Sequence, residues 1–225
     1  MLSVTRAAIA STVSMWRGTE ALHLGKRPQQ QLHLYDIEGC PYCKLVREAI
    51  TELDLDVVIF PCPKGGIRFR NSAIQLGGKE QFPLLVDPNT SITLYESNNI
   101  IKYLFSYYGT GSLPKRWRHP YRNITSSFMA SLICFGSGMY NKSSNPPSMM
   151  LELYSFESNP FCKPVKSLLC ELEIPYILHN VARPQWFDYV RPRILETSLR
   201  RADVENNTQA KVPFLVDANT GVEIF

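Results

Sequence analysis

The residues best suited to chemistry in this 225-residue chain are Cys40-Pro41-Tyr42-Cys43. Two thiols three positions apart on the first turn of a helix can attack a disulfide in succession and then close into one themselves. Cys40 falls at or just before the helix N-terminus, where unsatisfied backbone N–H groups and the macrodipole favour an anion. A thiol pKa of about 8.5 can drop to about 3.5–7.5 in such a place, and Lys44 and Arg47 would push the same way. Cys40 is therefore the expected nucleophile. Cys43, one turn further in, is the expected buried, resolving thiol. A C-x-x-C can also be an inert pair or half of a zinc site. The zinc reading needs four ligands, and neither a second C-x-x-C nor a paired histidine stands at suitable spacing.

The pattern around the pair predicts the elements that must position it. Leu32 to Asp36 alternates and reads as a strand; Pro41 to Leu53 reads as a helix, with Val46, Ala49, Ile50 and Leu53 on one face and proline in the first turn. A short strand at Val57 to Phe60 and a helix over Ile67 to Leu76 follow. A hairpin of Pro83 to Val86 with Ile92 to Tyr95 comes next, and Ser97 to Tyr107 closes the set as a helix. The order β-α-β-α-β-β-α is that of a thioredoxin fold. In that fold the proline opening the third strand, here Pro83, is expected to be cis and to face the dithiol. The backbone of Phe82 is then free to pair with an extended thiol peptide.

The chain then repeats itself. LHLYDIEGCPYCKLV at 32–46 matches LELYSFESNPFCKPV at 151–165 with an offset of 119, and FPLLVDPNTSITLY at 82–95 matches VPFLVDANTGVEIF at 212–225 with an offset of 130. The second copy thus carries 11 extra residues between its landmarks. The expected fold class is α/β: two tandem thioredoxin-like domains, at 31–109 and 151–225, joined by a linker at 110–150 rich in Ser, Asn and Pro. Phe225 matches Tyr95, so the second domain is expected to lack its last helix, through truncation or because a partner or the linker covers that face. Asn159 replaces the nucleophile in the second copy, and Cys162 keeps only the resolving position. Together with Val212 and Pro213 they form a degenerate site, expected to be structural or binding.

CPYC with its helix, FPLLVD, and Tyr95-Glu96-Ser97 resemble the N-terminal glutathione-binding domain of glutathione transferases fitted with a glutaredoxin motif. The duplication resembles a plant and algal group of tandem glutaredoxin-like proteins, often plastid-targeted. The likeness is strong over 32–109 and weaker over 151–225. It implies glutathione as cosubstrate: Glu96 and Ser97 would hold the γ-glutamyl end, Phe82 and Pro83 would present backbone to its cysteine, and Tyr42 would flank the sulfur. Cys40 would attack a mixed disulfide, and Cys43 or free glutathione would resolve it. The expected function is a glutathione-linked oxidoreductase acting on mixed or protein disulfides. The alternatives are a non-catalytic glutathione-binding scaffold and, less well matched, a transferase, because the segment after Tyr108 reads as too short and polar to be the all-helical domain that normally supplies the electrophile pocket.

Composition narrows the remaining choices. A net charge of +4 is too mild to argue for nucleic acid but suits small anionic ligands. Six scattered cysteines do not make a secreted disulfide scaffold. No stretch is long and apolar enough for an integral membrane segment. Residues 1–30 are rich in Ser, Thr and basic residues with one acid, Glu20, and read as an organellar transit peptide or a disordered tail. The expected location is a plastid or other organelle, otherwise the cytoplasm. Cys62 reads as a turn residue, Cys170 as helical core, and Trp186 and Phe187 as packing for the extra segment.

Overall fold

A computed structural model of the chain describes residues 2–184 and 212–224. The thioredoxin-like elements of the first copy stand where the pattern placed them. They are β2 (Leu32–Asp36), α2 (Pro41–Glu52), β3 (Val57–Pro61), α3 (Arg70–Gly77), β4 (Leu84–Asp87), β5 (Ile92–Tyr95) and α4 (Ser97–Tyr107). Helix α3 begins three residues later than expected: the chain enters it from a turn, in which Glu173 accepts the backbone N–H groups of Ile67 and Arg68. The second copy contributes β6 (Leu151–Ser155), α6 (Cys162–Glu171), β7 (Tyr176–Asn180), β8 (Arg183–Pro184), β9 (Phe214–Asp217) and β10 (Val222–Ile224). The stretch matching α3, with Trp186 and Phe187, lies outside the described residues.

The two copies do not hang separately on a linker. All the long strands form one eight-stranded sheet in the order β10-β9-β6-β7-β3-β2-β4-β5. The joint is the antiparallel pairing of β3 with β7, where Val57, Val58 and Ile59 face Leu178, Ile177 and Tyr176. At an offset of 119, Val58 is the repeat partner of Ile177, so the pair lies on a pseudo-twofold axis. Two strand edges that would otherwise leave backbone groups unpaired satisfy each other. Buried residues of both copies, among them Leu34, Ile50, Leu153 and Leu169, share one core.

The segment expected as a linker carries a 3-10 turn (Lys115–Trp117) and helix α5 (Pro120–Ile133). The N-terminal segment, read as a transit peptide or tail, carries α1 (Leu2–Val13) and the short strand β1 (Glu20–Ala21). These are also a repeat, at an offset of about 120. After α1 the backbone has positive φ at Met15, Trp16 and Gly18; after α5 it does so at Phe135, Gly136 and Gly138. β1 pairs in parallel with β8, and Tyr140 bridges Lys64 in the same sense. Asn89 exchanges hydrogen bonds with Gln30, and Asn219 does the same with Met149.

Each of these N-terminal arms crosses to the other copy. Ser158 donates its N–H to the Gly18 carbonyl, and Gly39 donates to that of Gly138. Both glycines are needed at these close approaches: a Cβ would lie 2.9 Å from Glu157 at Gly18 and 2.8 Å from Glu38 at Gly138, and both have positive φ. Composition alone hid α1 and α5 because their inner faces are small residues. Ala7, Ala10 and Ser11 of α1, and Asn123, Ser127 and Ala130 of α5, are the buried positions, so the usual apolar stripe is absent.

Candidate functional site: a thiol pair at a helix N-terminus

Cys40 is the N-cap of α2, with the extended backbone (φ −77, ψ 128) typical of that position. Its N–H donates to the Ile37 carbonyl at 3.0 Å, closing the turn that leads from β2 into the helix. Pro41 occupies the first helical turn, where its missing N–H costs nothing. Cys40 is half-buried and Cys43 fully buried. The first thiol is therefore reachable and the second is not.

The Cys40 thiol is lowered to about 7. The largest cause is the hydrogen bond from the Cys43 thiol. Burial opposes it, and the backbone N–H groups of Cys43 and Tyr42 and the Arg47 charge add to the lowering. The helix terminus acts here through its free N–H groups, as the sequence suggested, but second to the partner thiol. Lys44, expected to help, is instead tied to Glu48. Cys43 is pushed well above the ordinary thiol range by burial and by its bond to Cys40. The Ile37 N–H also reaches its sulfur, at 3.4 Å.

The other predicted residues fall into two adjoining groups. Tyr42, Glu96 and Ser97 line one cleft of about 430 Å³, together with Ile101, Trp117 and Tyr121. Glu96 precedes α4 with a φ of 67, and Ser97 begins that helix. Gln81 donates to the Glu96 carboxylate. Cys40 and Phe82 belong to an apolar cluster around Cys43, Tyr35 and Met139. The Phe82-Pro83 bond is cis, as is Val212-Pro213. The guanidinium of Arg70 lies 4.9 Å from the centre of the Phe82 ring. The segment after Tyr108 was expected to be too short and polar to be an all-helical domain, and it carries one 3-10 turn and one helix among the described residues. It supplies Trp117, Pro120, Tyr121 and Ile124 to the cleft wall, because the 3-10 turn and α5 bring these apolar residues against α2.

In the second copy the same place is filled by the chain's own side chain. Asn159 Oδ1 accepts the N–H groups of Phe161 at 2.8 Å and Cys162 at 3.4 Å. Its Nδ2 makes a long bond, 3.5 Å, to the carbonyl of Val212, the residue before Pro213. Cys162 is buried and pushed up by that burial to about 11. Cys62, read as a turn residue, is the first residue after β3 and is wholly buried; desolvation raises its thiol. Cys170 is helical core as expected.

One functional feature was missed in the sequence. Arg47 is fully buried and joins the copies: it pairs with Asp36, with Glu38, and with Glu157 at 3.1 Å, and donates to the Glu38 carbonyl at 3.0 Å. Its repeat partner Lys166 pairs with Glu157 and stands 3.9 Å from Glu38. Burial alone would raise the Glu157 carboxyl, but Arg47 and Lys166 hold it well below the usual range. The signal was present in the repeat, since Glu38 matches Glu157 and Arg47 matches Lys166 on helices that otherwise bury apolar residues.

Residues 34–112 match the family described as glutathione S-transferase, N-terminal domain. Among solved structures, a Bombyx mori glutathione transferase is similar at 25% identity, over 38% of this chain and 39% of that one, with a TM-score of 0.32. A Nilaparvata lugens delta-class glutathione transferase is similar at 27% identity, over 35% and 37%, with a TM-score of 0.29. The matches thus span less than two-fifths of either solved structure. No curated protein matches the chain.

Proposed function

We propose that this chain, whose residues 34–112 form a thioredoxin-like glutathione S-transferase N-terminal domain, is a glutathione-linked thiol–disulfide oxidoreductase working through Cys40. The observation that carries the reading is the split between two neighbouring thiols: a half-exposed Cys40 lowered to about 7, and a buried Cys43 raised well above its ordinary value. An attacking thiol works best with a pKa near ambient pH, which combines a large thiolate fraction with retained nucleophilicity.

The steps follow from that asymmetry. The Cys40 thiolate attacks the glutathione sulfur of a mixed disulfide. The S–S bond breaks, the substrate thiolate leaves and takes a proton, and Cys40 is left bonded to glutathione. A glutathione thiolate then attacks the glutathione sulfur of that disulfide, releasing oxidised glutathione and regenerating the Cys40 thiolate. In the alternative route Cys43 loses its proton and attacks Cys40, expelling glutathione and forming the Cys40–Cys43 disulfide. Two further glutathione molecules reduce this bond and leave as oxidised glutathione. The high pKa of Cys43 favours the first route. Ser97 and the N-terminus of α4 are suited to hold the γ-glutamyl carboxylate of glutathione, and the Glu96 carboxylate its ammonium group. Protein disulfides as substrates, and an organellar location, stand as parts of the same proposal.

Iodoacetamide alkylation across pH tests it. Cys40 should react with a half-maximal rate near pH 7, and Cys40→Ser should remove both that phase and the reduction of a glutathione mixed disulfide. A first ionisation near 8.5, with no reductase activity, would leave a glutathione-binding scaffold. The wall of Trp117, Tyr121 and Ile124 beside Glu96 and Ser97 favours a second reading, conjugation of glutathione to an apolar electrophile. That activity would survive Cys40→Ser.

A further inference from the structure

We propose that the outer face of α1 and α5 docks on the surface of an anionic phospholipid bilayer. These two helices pack on each other across the pseudo-twofold axis, α5 also on α2 and α1 on α6. They are amphipathic in the inverse sense. Small residues face inward, and large apolar residues face solvent: Ile9, Trp16, Phe128, Met129, Leu132 and Phe135 are between 45% and 78% exposed. On α5 the outward stripe of Phe128, Met129 and Leu132 lies opposite the buried Ser127 and Ala130. A helix that folds only for its own protein places its large apolar residues the other way. An exposed apolar surface of this kind marks an interaction site.

The charge around this face selects the partner. Residues 2–19 and 97–151 contain no Asp or Glu. Exposed cations stand at the rim: Arg6 lies 4.6 Å from the centre of the Phe135 ring, Arg122 reaches the Met15 sulfur at 3.6 Å, and Lys115 and Arg118 lead into α5. Two copies of such a face would bring like charges together, which argues against self-association. Apolar residues with arginine and lysine in excess match a leaflet of anionic lipid, into which the apolar side chains sink while the cations meet phosphates; the acids at the edge are Glu20 beside Trp16 and Glu171, which is paired with Lys142. No helix among the described residues is long and apolar enough to cross a membrane, so the contact is peripheral.

Flotation of the full chain with vesicles tests this. It should float with phosphatidylcholine vesicles containing phosphatidylglycerol, should not float with phosphatidylcholine alone, and should be released by added salt. Arg118→Gln and Arg122→Gln should each lower the partition coefficient about fivefold. Phe128→Ser combined with Leu132→Ser should lower it at least about tenfold. All four side chains are exposed, so the variants should keep the wild-type alkylation rate of Cys40, which verifies the fold. Failure to float with anionic vesicles, equal flotation with neutral ones, or partition unchanged by these substitutions would overturn the proposal. So would sedimentation as a dimer that Phe128→Ser with Leu132→Ser returns to monomer, since a second copy would then cover the face.

Discussion

The two copies present the same helix N-terminus to opposite ends. In the first, the N–H groups of Tyr42 and Cys43 have no side-chain oxygen to satisfy them and are left to the sulfur of Cys40. In the second, Asn159 turns back and takes the corresponding N–H groups itself, while its amide reaches toward the carbonyl beside Pro213. An amide cap is neutral and fixed, whereas a thiolate cap is charged and can leave to form a bond. The two helix ends therefore differ at this one position in the charge their cap can carry. The second copy meanwhile contributes Glu157, which anchors Arg47 under the first. The second copy thus serves as a platform on which the thiol-bearing copy is built.

Substitutions can break this comparison, and Cys40→Ser should have the largest effect. Disulfide reduction should fall below about one-thousandth of the wild-type rate, whereas Cys162→Ser should leave it unchanged; a coupled glutathione assay on both variants decides. Arg47→Leu comes next. It would leave Asp36 buried without its cation, and Glu38 and Glu157 with only Lys163 and Lys166, at a cost of about 3–5 kcal/mol in a denaturant titration. The sign of its pH dependence is fixed by the carboxylates. Arg47, with the lysines beside it, keeps Glu38 and Glu157 below their ordinary values. In the wild type their stabilisation is present above the unfolded carboxyl pKa and fades as pH falls through the folded values. In Arg47→Leu those values rise, so the deficit should be greatest at neutral pH and shrink on acidification.

The same comparison shows what the sequence could and could not reveal. The bounds of β2, β5 and α4 were legible to the residue because alternation, a turn of Asp-Pro-Asn-Thr and a helical stripe all agree there. The thiol pair, its proline and Glu96-Ser97 were legible as motifs. The arms were not. α1 and α5 bury alanine, serine and one asparagine, so their pattern points to no core, and the offset near 120 that relates them rests on backbone turns at Trp16 and Gly136 more than on identities. The continuous sheet was hidden for a different reason. Edge pairing leaves no code in side-chain periodicity, although Val57-Val58-Ile59 and Tyr176-Ile177-Leu178 are apolar edges without a protecting charge. The ionic joint around Arg47 was readable only by laying one copy on the other.

Asn159→Cys sharpens the contrast, with a smaller expected effect. It restores the motif Cys-Pro-Phe-Cys in the second copy, yet the place is not equivalent. Asn159 is 8% exposed, and Ser11 and Thr19 of the N-terminal arm fasten the preceding residue, Ser158. The new thiol should therefore react with iodoacetamide at pH 7 at least about tenfold more slowly than Cys40, because exposure limits a thiolate as much as its pKa does. Equal rates would mean that the single side chain, and not the covering arm, seals the second site.

Asn159→Ala isolates the smallest contribution. It removes the cap without adding a thiol, leaving the N–H groups of Phe161 and Cys162 without their acceptor at the start of α6. Loss of such a cap costs about 1 kcal/mol, and here the N–H of Cys162 is sheltered with its residue, so water cannot fully replace the amide. The matching change in the first copy, Cys40→Ala, removes below a pH of about 7 only a neutral thiol, a weak acceptor, although its N–H partners Tyr42 and Cys43 are exposed and buried much as Phe161 and Cys162 are. The stability loss should therefore be larger for Asn159→Ala than for Cys40→Ala at a pH below about 7, where the Cys40 thiol is protonated. Above that pH the gap should narrow. A thiol with a depressed folded pKa contributes stability that grows as pH rises from the folded value toward the unfolded one, and Cys40→Ala forfeits it. Denaturation midpoints of both variants on either side of neutrality would show whether the two helix ends, so alike in backbone, differ in energy through charge.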